Sequence, residues 1–324
     1  MKPKVFVTRK LPEKALEMIR AECKMEINPH DRVLTKEELI DGVREKDGLL
    51  CLLTDEIDEE IINSGKKLKV IANYAVGYNN INVEAATKRK IPVTNTPGVL
   101  TDTTADMVWA LIFAVTRRVV EADRFTREGK YKGWGPMMFL GGDVYGKTLG
   151  IIGLGRIGRA VAKRAIGFDM KLIYFDVIRA DEKVEKELGI EFVSLNELLK
   201  NSDFVSIHVP LLPSTHHFIS ERELSIMKKT AYLINNSRGP VVDEEALVKA
   251  LKDNKIAGAA LDVFENEPEL SPGLADLENV VLTPHISSAS IETRTKMAVM
   301  AAENLLAGLR GSRPPNIVNP EVLE

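Results

Sequence analysis

Three polar side chains each close a strand-like run, and each offers a different piece of carbonyl chemistry. Arg238 lies in Asn235-Asn236-Ser237-Arg238-Gly239-Pro240, Glu267 in Asp262-Val263-Phe264-Glu265-Asn266-Glu267-Pro268, and His285 in Thr283-Pro284-His285-Ile286-Ser287-Ser288. A guanidinium presents a planar fork of donors that can grip a carboxylate and polarise a neighbouring keto oxygen. Imidazole ordinarily titrates near neutrality, so His285 suits passing a proton to a developing alkoxide or taking one back. A carboxylate such as Glu267 would hold the ring and favour its charged form. Taken singly, each has a plainer explanation. The arginine can form a surface ion pair, the glutamate can be a loop acid like Glu265 or Glu269, and the histidine can cap a turn.

The setting for that chemistry is Gly153-Leu154-Gly155-Arg156-Ile157-Gly158, a GxGxxG between a buried strand-like run and a helix start. The first glycine permits a tight turn, the second lets backbone approach a pyrophosphate, and the third lets helix and strand pack closely. The helix N-terminus then offers N–H groups and a positive dipole to the phosphates. The next strand-like run ends at Asp176, about 20 positions on, where a carboxylate accepts from the adenosine ribose hydroxyls and repels a 2′-phosphate. NAD(H) is therefore the expected cofactor. Arg179 keeps NADP(H) open as an alternative, its plainer explanation being an exposed loop residue.

These residues need an α/β framework, because ligands of an open parallel sheet bind beyond the carboxyl ends of its strands. Strand and helix patterns do alternate along the chain. Strands are expected at Val5–Thr8, Cys23–Ile27, Leu49–Leu53 and Val70–Tyr74, then at Thr148–Ile152, Lys171–Phe175, Phe204–His208, Ala231–Asn235 and Ala257–Ala260. Helices are expected at Pro12–Ala21, Thr35–Arg44, Ile57–Ser64, Arg156–Ile166 and Asp243–Asp253, with one long helix over Thr103–Arg127 and a last one from Ser290 to Gly308. Capping boxes open at Thr35 with Glu38 and at Ser194 with Glu197. Gly129–Asp143 is a loop by composition. The last helix is expected to pack back on the first domain.

Bulk properties narrow the function. The 324 residues suit two domains, and a formal charge of −3 gives no general attraction to nucleic acid. No apolar run is long enough for a transmembrane helix or a signal peptide. Two isolated cysteines, Cys23 and Cys51, argue against disulfides and metal clusters and fit a cytoplasmic protein. No metal is expected.

The three catalytic segments together with Gly153–Gly158 resemble the D-isomer-specific 2-hydroxyacid dehydrogenase family, most of all its glyoxylate/hydroxypyruvate reductases. Supporting stretches are Val76-Gly77-Tyr78-Asn79-Asn80-Ile81, Thr101-Asp102-Thr103-Thr104-Ala105-Asp106 and Trp134-Gly135-Pro136-Met137-Met138-Phe139-Leu140-Gly141. The resemblance implies a Rossmann dinucleotide-binding domain (101–287) inserted into a flavodoxin-like substrate-binding domain (1–100 with 288–324). It also implies a homodimer and reduction of a small 2-keto acid to the 2-hydroxy acid, with Arg238, Glu267 and His285 catalytic. Beyond the glycines, Arg156, Ile157 and Asp176, it assigns Thr104, Val177, Val209, Pro210, Thr215, Asn236, Ser237, Arg238, Asp262, His285 and Ser287 to the cofactor. Asp262 is expected to meet the nicotinamide carboxamide. Leu53, Val76, Gly77, Arg238 and His285 are assigned to substrate. Asn79, Asn82 and Ser287 depart from residues common in the family. His208 is expected to be structural, and His30, His216 and His217 receive no role.

Trp134, Met137, Met138, Phe139 and Leu53 suit either an apolar wall over a small substrate or a plain dimer contact. D-lactate, phosphoglycerate, phosphonate and formate dehydrogenases share the scaffold, as do corepressor-type binding modules that sense NAD without turnover. Retention of all three catalytic side chains favours the enzyme.

Overall fold

The apolar runs fold into two parallel sheets, one in each of two units, Met1–Leu100 with Ala289–Glu324, and Thr101–Ser288. This computed structural model describes residues 2–324.

In the first unit, β1 (Lys4–Val7), β2 (Lys24–Ile27), β3 (Gly48–Leu52), β4 (Val70–Tyr74) and β5 (Val93–Thr94) pair in the order β2-β1-β3-β4-β5. That order is the flavodoxin-like one. Between them run α1 (Glu13–Glu22), α2 (Lys36–Val43), α3 (Glu59–Ser64) and α4 (Val83–Lys88). Thr35 caps α2 with the expected reciprocal box to Glu38, and Asn82 caps α4 through Ala85 N–H. The C-terminal helix Ile291–Leu309 buries Met297, Ala298, Ala301, Ala302, Leu305 and Leu306 in one core with Leu16, Ile19, Leu50 and Val70. Each such leucine contributes about 1.5–3 kcal/mol by leaving water. Small residues on its inner face let this helix lie close to the sheet, and a Cβ at Gly308 would sit 2.6 Å from Val70.

The second unit opens with α5 (Thr101–Thr116) and α6 (Val119–Arg127). The single helix expected over Thr103–Arg127 is thus two. The break is at Arg118, whose backbone is left-handed (φ 52°) and whose guanidinium turns back on Glu121. Gly142 N–H donates to the Thr116 carbonyl at 3.1 Å and so ends α5 from outside. No proline or glycine marks such a break, because the cap comes from a distant loop.

Seven strands follow: β6 (Thr148–Ile152), β7 (Lys171–Phe175), β8 (Ile190–Phe192), β9 (Phe204–Ile207), β10 (Tyr232–Asn235), β11 (Gly258–Leu261) and β12 (Val280–Leu282). Their order is β12-β11-β10-β9-β6-β7-β8. Counted from β6, this is the Rossmann order with one strand added, and the reversal of direction lies between β6 and β9. The helices are α7 (Arg156–Ala165), α8 (Glu182–Leu188), α9 (Leu195–Asn201), α10 (Glu221–Ile226) and α11 (Glu244–Lys252). The two edge strands β8 and β12 span three residues each, too short to show a period in sequence. Cys23 and Cys51 are free and buried. Among the described residues no helix is long and apolar enough to cross a membrane.

Candidate active site

The register of β10, β11 and β12 explains why distant segments meet. Asn235 pairs with Leu261, and Leu261 pairs with Leu282, so the three strands end side by side. Arg238, Asp262 and Thr283–Ser287 leave from those adjacent ends. Each segment is tied down locally. Asn235 Nδ2 donates to Arg238 O at 2.9 Å, and Asn235 Oδ1 accepts from Ser237 N–H and Oγ at 3.0 and 2.9 Å. Arg238 Nη1 donates to Ser237 O at 2.7 Å.

His285 Nδ1 and Glu267 Oε2 lie 2.9 Å apart, and Glu267 Oε1 accepts Phe264 N–H at 3.0 Å. Burial pushes the Glu267 carboxyl up. The hydrogen bond and charge of His285, with Phe264 N–H and the Arg238 guanidinium, outweigh it and hold the group below the usual carboxylate range. Arg238 is itself lowered from its ordinary value by burial, which the Glu267 charge partly offsets. Glu267, not Glu265 or Glu269, is therefore the acid that faces His285. His285 has a left-handed backbone, φ 53°, an unusual state for a residue with a side chain. Such strain persists only where surroundings over-determine it.

Those surroundings are supplied by Asp262, wholly buried. Its Oδ1 accepts Thr283 Oγ1–H at 2.6 Å and Ile286 N–H at 2.8 Å; its Oδ2 accepts Ser287 N–H at 2.7 Å and the Ser287 hydroxyl. Four protein donors fill the acceptor sites of one carboxylate. The loop carrying His285 is thereby wrapped around Asp262. Ser287 also accepts Asn236 Nδ2–H at 2.7 Å, so its hydroxyl joins two strand ends, which glycine at that position would not do.

At the switch point, Gly153 has φ +93°, and a Cβ on Gly158 would lie 2.2 Å from Gly153 O. Both positions exclude side chains. No heavy atom lies within 4 Å of a Cβ built on Gly155, which begins α7. Backbone N–H groups at a helix start beneath open space suit a diphosphate. Asn236 Oδ1 is buried with no hydrogen-bond partner, an acceptor suited to a carboxamide N–H₂. The residues present thus fit a nicotinamide dinucleotide. Asp176 Oδ2 accepts Leu154 N–H at 2.8 Å, fixing the turn from below. Val177 is exposed beside it, and Thr104 is buried in the first turn of α5. Thr215 Oγ1 donates to Pro210 O at 2.6 Å, closing the loop after β9 that holds Val209.

Arg179 is exposed, as expected, and also tied down. Its Nε and Nη2 each reach Glu185 at 2.9 Å, and Tyr174 Oη donates to the same carboxylate at 2.6 Å. The Arg179 hydrogen bonds, then Tyr174, hold the Glu185 carboxyl down to about 2. His208 packs its Nε2 against Ser206 Oγ at 2.8 Å, and burial lowers its imidazole to about 3.

In the first unit Leu53 follows β3, and Val76 and Gly77 follow β4, its register neighbour. Asn95 Nδ2 holds Val76 O at 2.7 Å, and Asn73 Nδ2 holds Gly77 O at 2.9 Å. A trans peptide sets C=O and the next N–H on opposite sides, so these bonds also aim the Gly77 and Tyr78 amides. Asn80, bonded to Asn73, Leu52 O and Asp55 O, locks β3 to this loop. Sequence reasoning missed this asparagine frame. The signal was there: Asn73 interrupts the apolar run Val70–Tyr74 and is fully buried.

A family model for the D-isomer specific 2-hydroxyacid dehydrogenase, NAD binding domain, matches residues 109–287. The chain is 57% identical to a glyoxylate reductase of Korarchaeum cryptofilum, over 100% of this chain and 98% of that one. It is 54% identical to a glyoxylate reductase of Thermococcus litoralis with the same coverage. A crystal structure of an NADPH-dependent glyoxylate/hydroxypyruvate reductase from Sinorhizobium meliloti, in complex with citrate, superposes with a TM-score of 0.85 at 31% identity, over 98% of each chain.

Proposed function

The chain belongs to the D-isomer-specific 2-hydroxyacid dehydrogenases, and on that premise we propose that it reduces glyoxylate to glycolate, with NADH preferred and hydroxypyruvate as a second substrate. The observation that carries this reading is the 2.9 Å His285–Glu267 pair beside the Arg238 charge, at the ends of three adjacent strands. The full-length identity to two glyoxylate reductases supports the substrate.

Arg238 grips the substrate carboxylate and polarises its carbonyl oxygen. The reduced nicotinamide, when bound, supplies a hydride to the carbonyl carbon. Glu267 holds Nδ1 of His285, which leaves Nε2 to donate a proton to the oxygen as negative charge develops there. One hydride and one proton convert the aldehyde to the alcohol, and His285 is the base in the reverse direction. Asp262, expected to meet the carboxamide, has its acceptor sites filled by four protein donors, so it keeps the His285 loop in place and leaves the carboxamide to Asn236. Gly153, Gly155, Arg156, Ile157 and Gly158 hold the diphosphate, Asp176 and Val177 the adenosine ribose side, and Thr104, Val209, Pro210, Thr215, Asn236, Ser237 and Ser287 complete the cofactor contacts. Leu53, Val76 and Gly77 are assigned to substrate by likeness to the family. Residues 1–100 with 288–324 act as the substrate-binding domain and 101–287 as the nucleotide-binding domain.

NADH preference follows from Arg179. A 2′-phosphate would need that guanidinium, and Glu185 already occupies it in a two-pronged pair. Exposed Tyr131, Trp134, Met137 and Leu140 form the face of a homodimer, while half-buried Phe139 meets Phe125 edge-to-face with ring centroids 5.2 Å apart. The buried free cysteines suit the cytoplasm. The test is oxidation of NADH and of NADPH with glyoxylate, hydroxypyruvate and pyruvate. Highest kcat/KM for glyoxylate with NADH is expected, and no turnover of any 2-keto acid would end the proposal.

A further inference from the structure

Outside the catalytic trio, the described residues hold a second cluster of ligating side chains. His216, His217 and Glu265 place one ligand atom each within 4.8 Å of one another. We propose that these three residues form a binding site for a divalent transition-metal ion of the zinc or nickel class.

The donor set defines the ion. Two imidazoles and one carboxylate suit borderline cations such as zinc and nickel, whereas magnesium prefers all-oxygen shells. The backbone explains how two consecutive histidines serve one site. Neighbours along extended chain point to opposite sides. Here His217 is left-handed, φ 49°, and its ring stacks on that of His216 with centroids 4.1 Å apart. The turn is held from both ends, by His217 N–H to Pro240 O at 2.8 Å and Ile219 N–H to Val241 O at 3.1 Å. A residue with a side chain in this region marks a constraint that the surrounding fold enforces.

The ligands are also oriented from behind. Glu265 Oε2 accepts Glu244 N–H at 3.1 Å, which leaves Oε1 facing His217 Nε2 at 2.6 Å. On the far side of that ring, Nδ1 lies 4.0 Å from the Asp243 carboxylate, which accepts Ser220 Oγ–H at 2.8 Å. A carboxylate behind a ligating histidine is the usual outer partner of a zinc site. Zinc bonds of about 2.0–2.1 Å at a tetrahedral angle separate two ligand atoms by about 3.3 Å. Glu265 Oε1 and His217 Nε2 need to part by well under 1 Å to admit an ion, about 0.7 Å by that geometry. His216 is exposed and closes the third side by side-chain rotation. The bound ion would tie the segment after β9 to the loop after β11, two residues from Glu267.

Isothermal titration with Zn²⁺ and with Ni²⁺, and thermal melts in the same ions, test the site on the full chain without reference to turnover. One ion per chain and a raised Tm are expected, both reversed by EDTA, with no response to Mg²⁺. His216→Ala and Glu265→Gln should each weaken binding at least about tenfold, and His30→Ala should not. The exposed His216 makes its variant safe for folding. Absence of stoichiometric binding, or binding that survives His216→Ala and Glu265→Gln, overturns the proposal. So does binding lost only in His285→Ala, which would assign the ion to the catalytic pair.

Discussion

Two glutamates two positions apart on one loop each hold a histidine whose backbone is left-handed. Glu267 meets His285 at 2.9 Å, and Glu265 meets His217 at 2.6 Å. By distance and backbone the pairs are alike. They differ in the third partner. Beside Glu267 stands the half-buried guanidinium of Arg238, the group proposed for the substrate carboxylate. Beside Glu265 stands a second imidazole, His216, with the Asp243 carboxylate behind. A histidine–carboxylate pair is therefore not by itself a sign of catalysis. The neighbour decides whether it suits a proton and an anion, or a cation.

The largest expected effect separates the two pairs. His285→Ala should lower kcat by about a hundredfold or more, the usual scale for a lost general acid, while cofactor affinity changes little. His217→Ala should keep the parent kcat in metal-free buffer. Equal losses in both variants would erase the distinction. Next, Arg238→Ala should lower kcat/KM about a hundredfold, as removal of a positioned donor does. A normal KM and kcat would take the guanidinium out of the site and leave the pairs equivalent.

A smaller effect tests whether a neighbour also governs an arginine. Glu185→Gln releases Arg179 and should raise kcat/KM with NADPH relative to NADH by several-fold, about the tenfold that one new charged contact confers. An unchanged ratio would mean that Glu185 does not control cofactor choice.

The smallest effect concerns His208, a third histidine, paired with a hydroxyl and not a carboxylate. Its folded value of about 3 lies below the ordinary value of about 6.5. Below about pH 6.5 the unfolded chain takes up a proton that the folded chain refuses, so this contribution to stability falls as pH drops toward 3 and is intact above neutrality. Melting His208→Asn beside the parent across that range should show a shallower acid-side decline. Parallel curves would show that the buried imidazole carries no such cost.

Much of this molecule is legible in its sequence. Thr35 with Glu38 and Ser194 with Glu197 formed the capping boxes their spacing called for. Val70–Tyr74, Thr148–Ile152 and Lys171–Phe175 are strands at the bounds their apolar runs suggested. The family was legible in GxGxxG and in the segments carrying Arg238, Glu267 and His285, because those motifs answer local demands on backbone and charge. The break at Arg118 was not, because a loop more than twenty residues on supplies its cap.

Local chemistry, read along the chain, settled residue types: which side chain grips a carboxylate, which titrates near neutrality, where only glycine fits. Pairing was decided in three dimensions. Glu265, Glu267 and Glu269 are interchangeable as letters, and only strand register and loop path turn Glu267 to His285 and Glu265 to His217. Hydrogen bonds and ion pairs act over a few ångströms of space, and separation along a chain carries no information about that distance until the strands align.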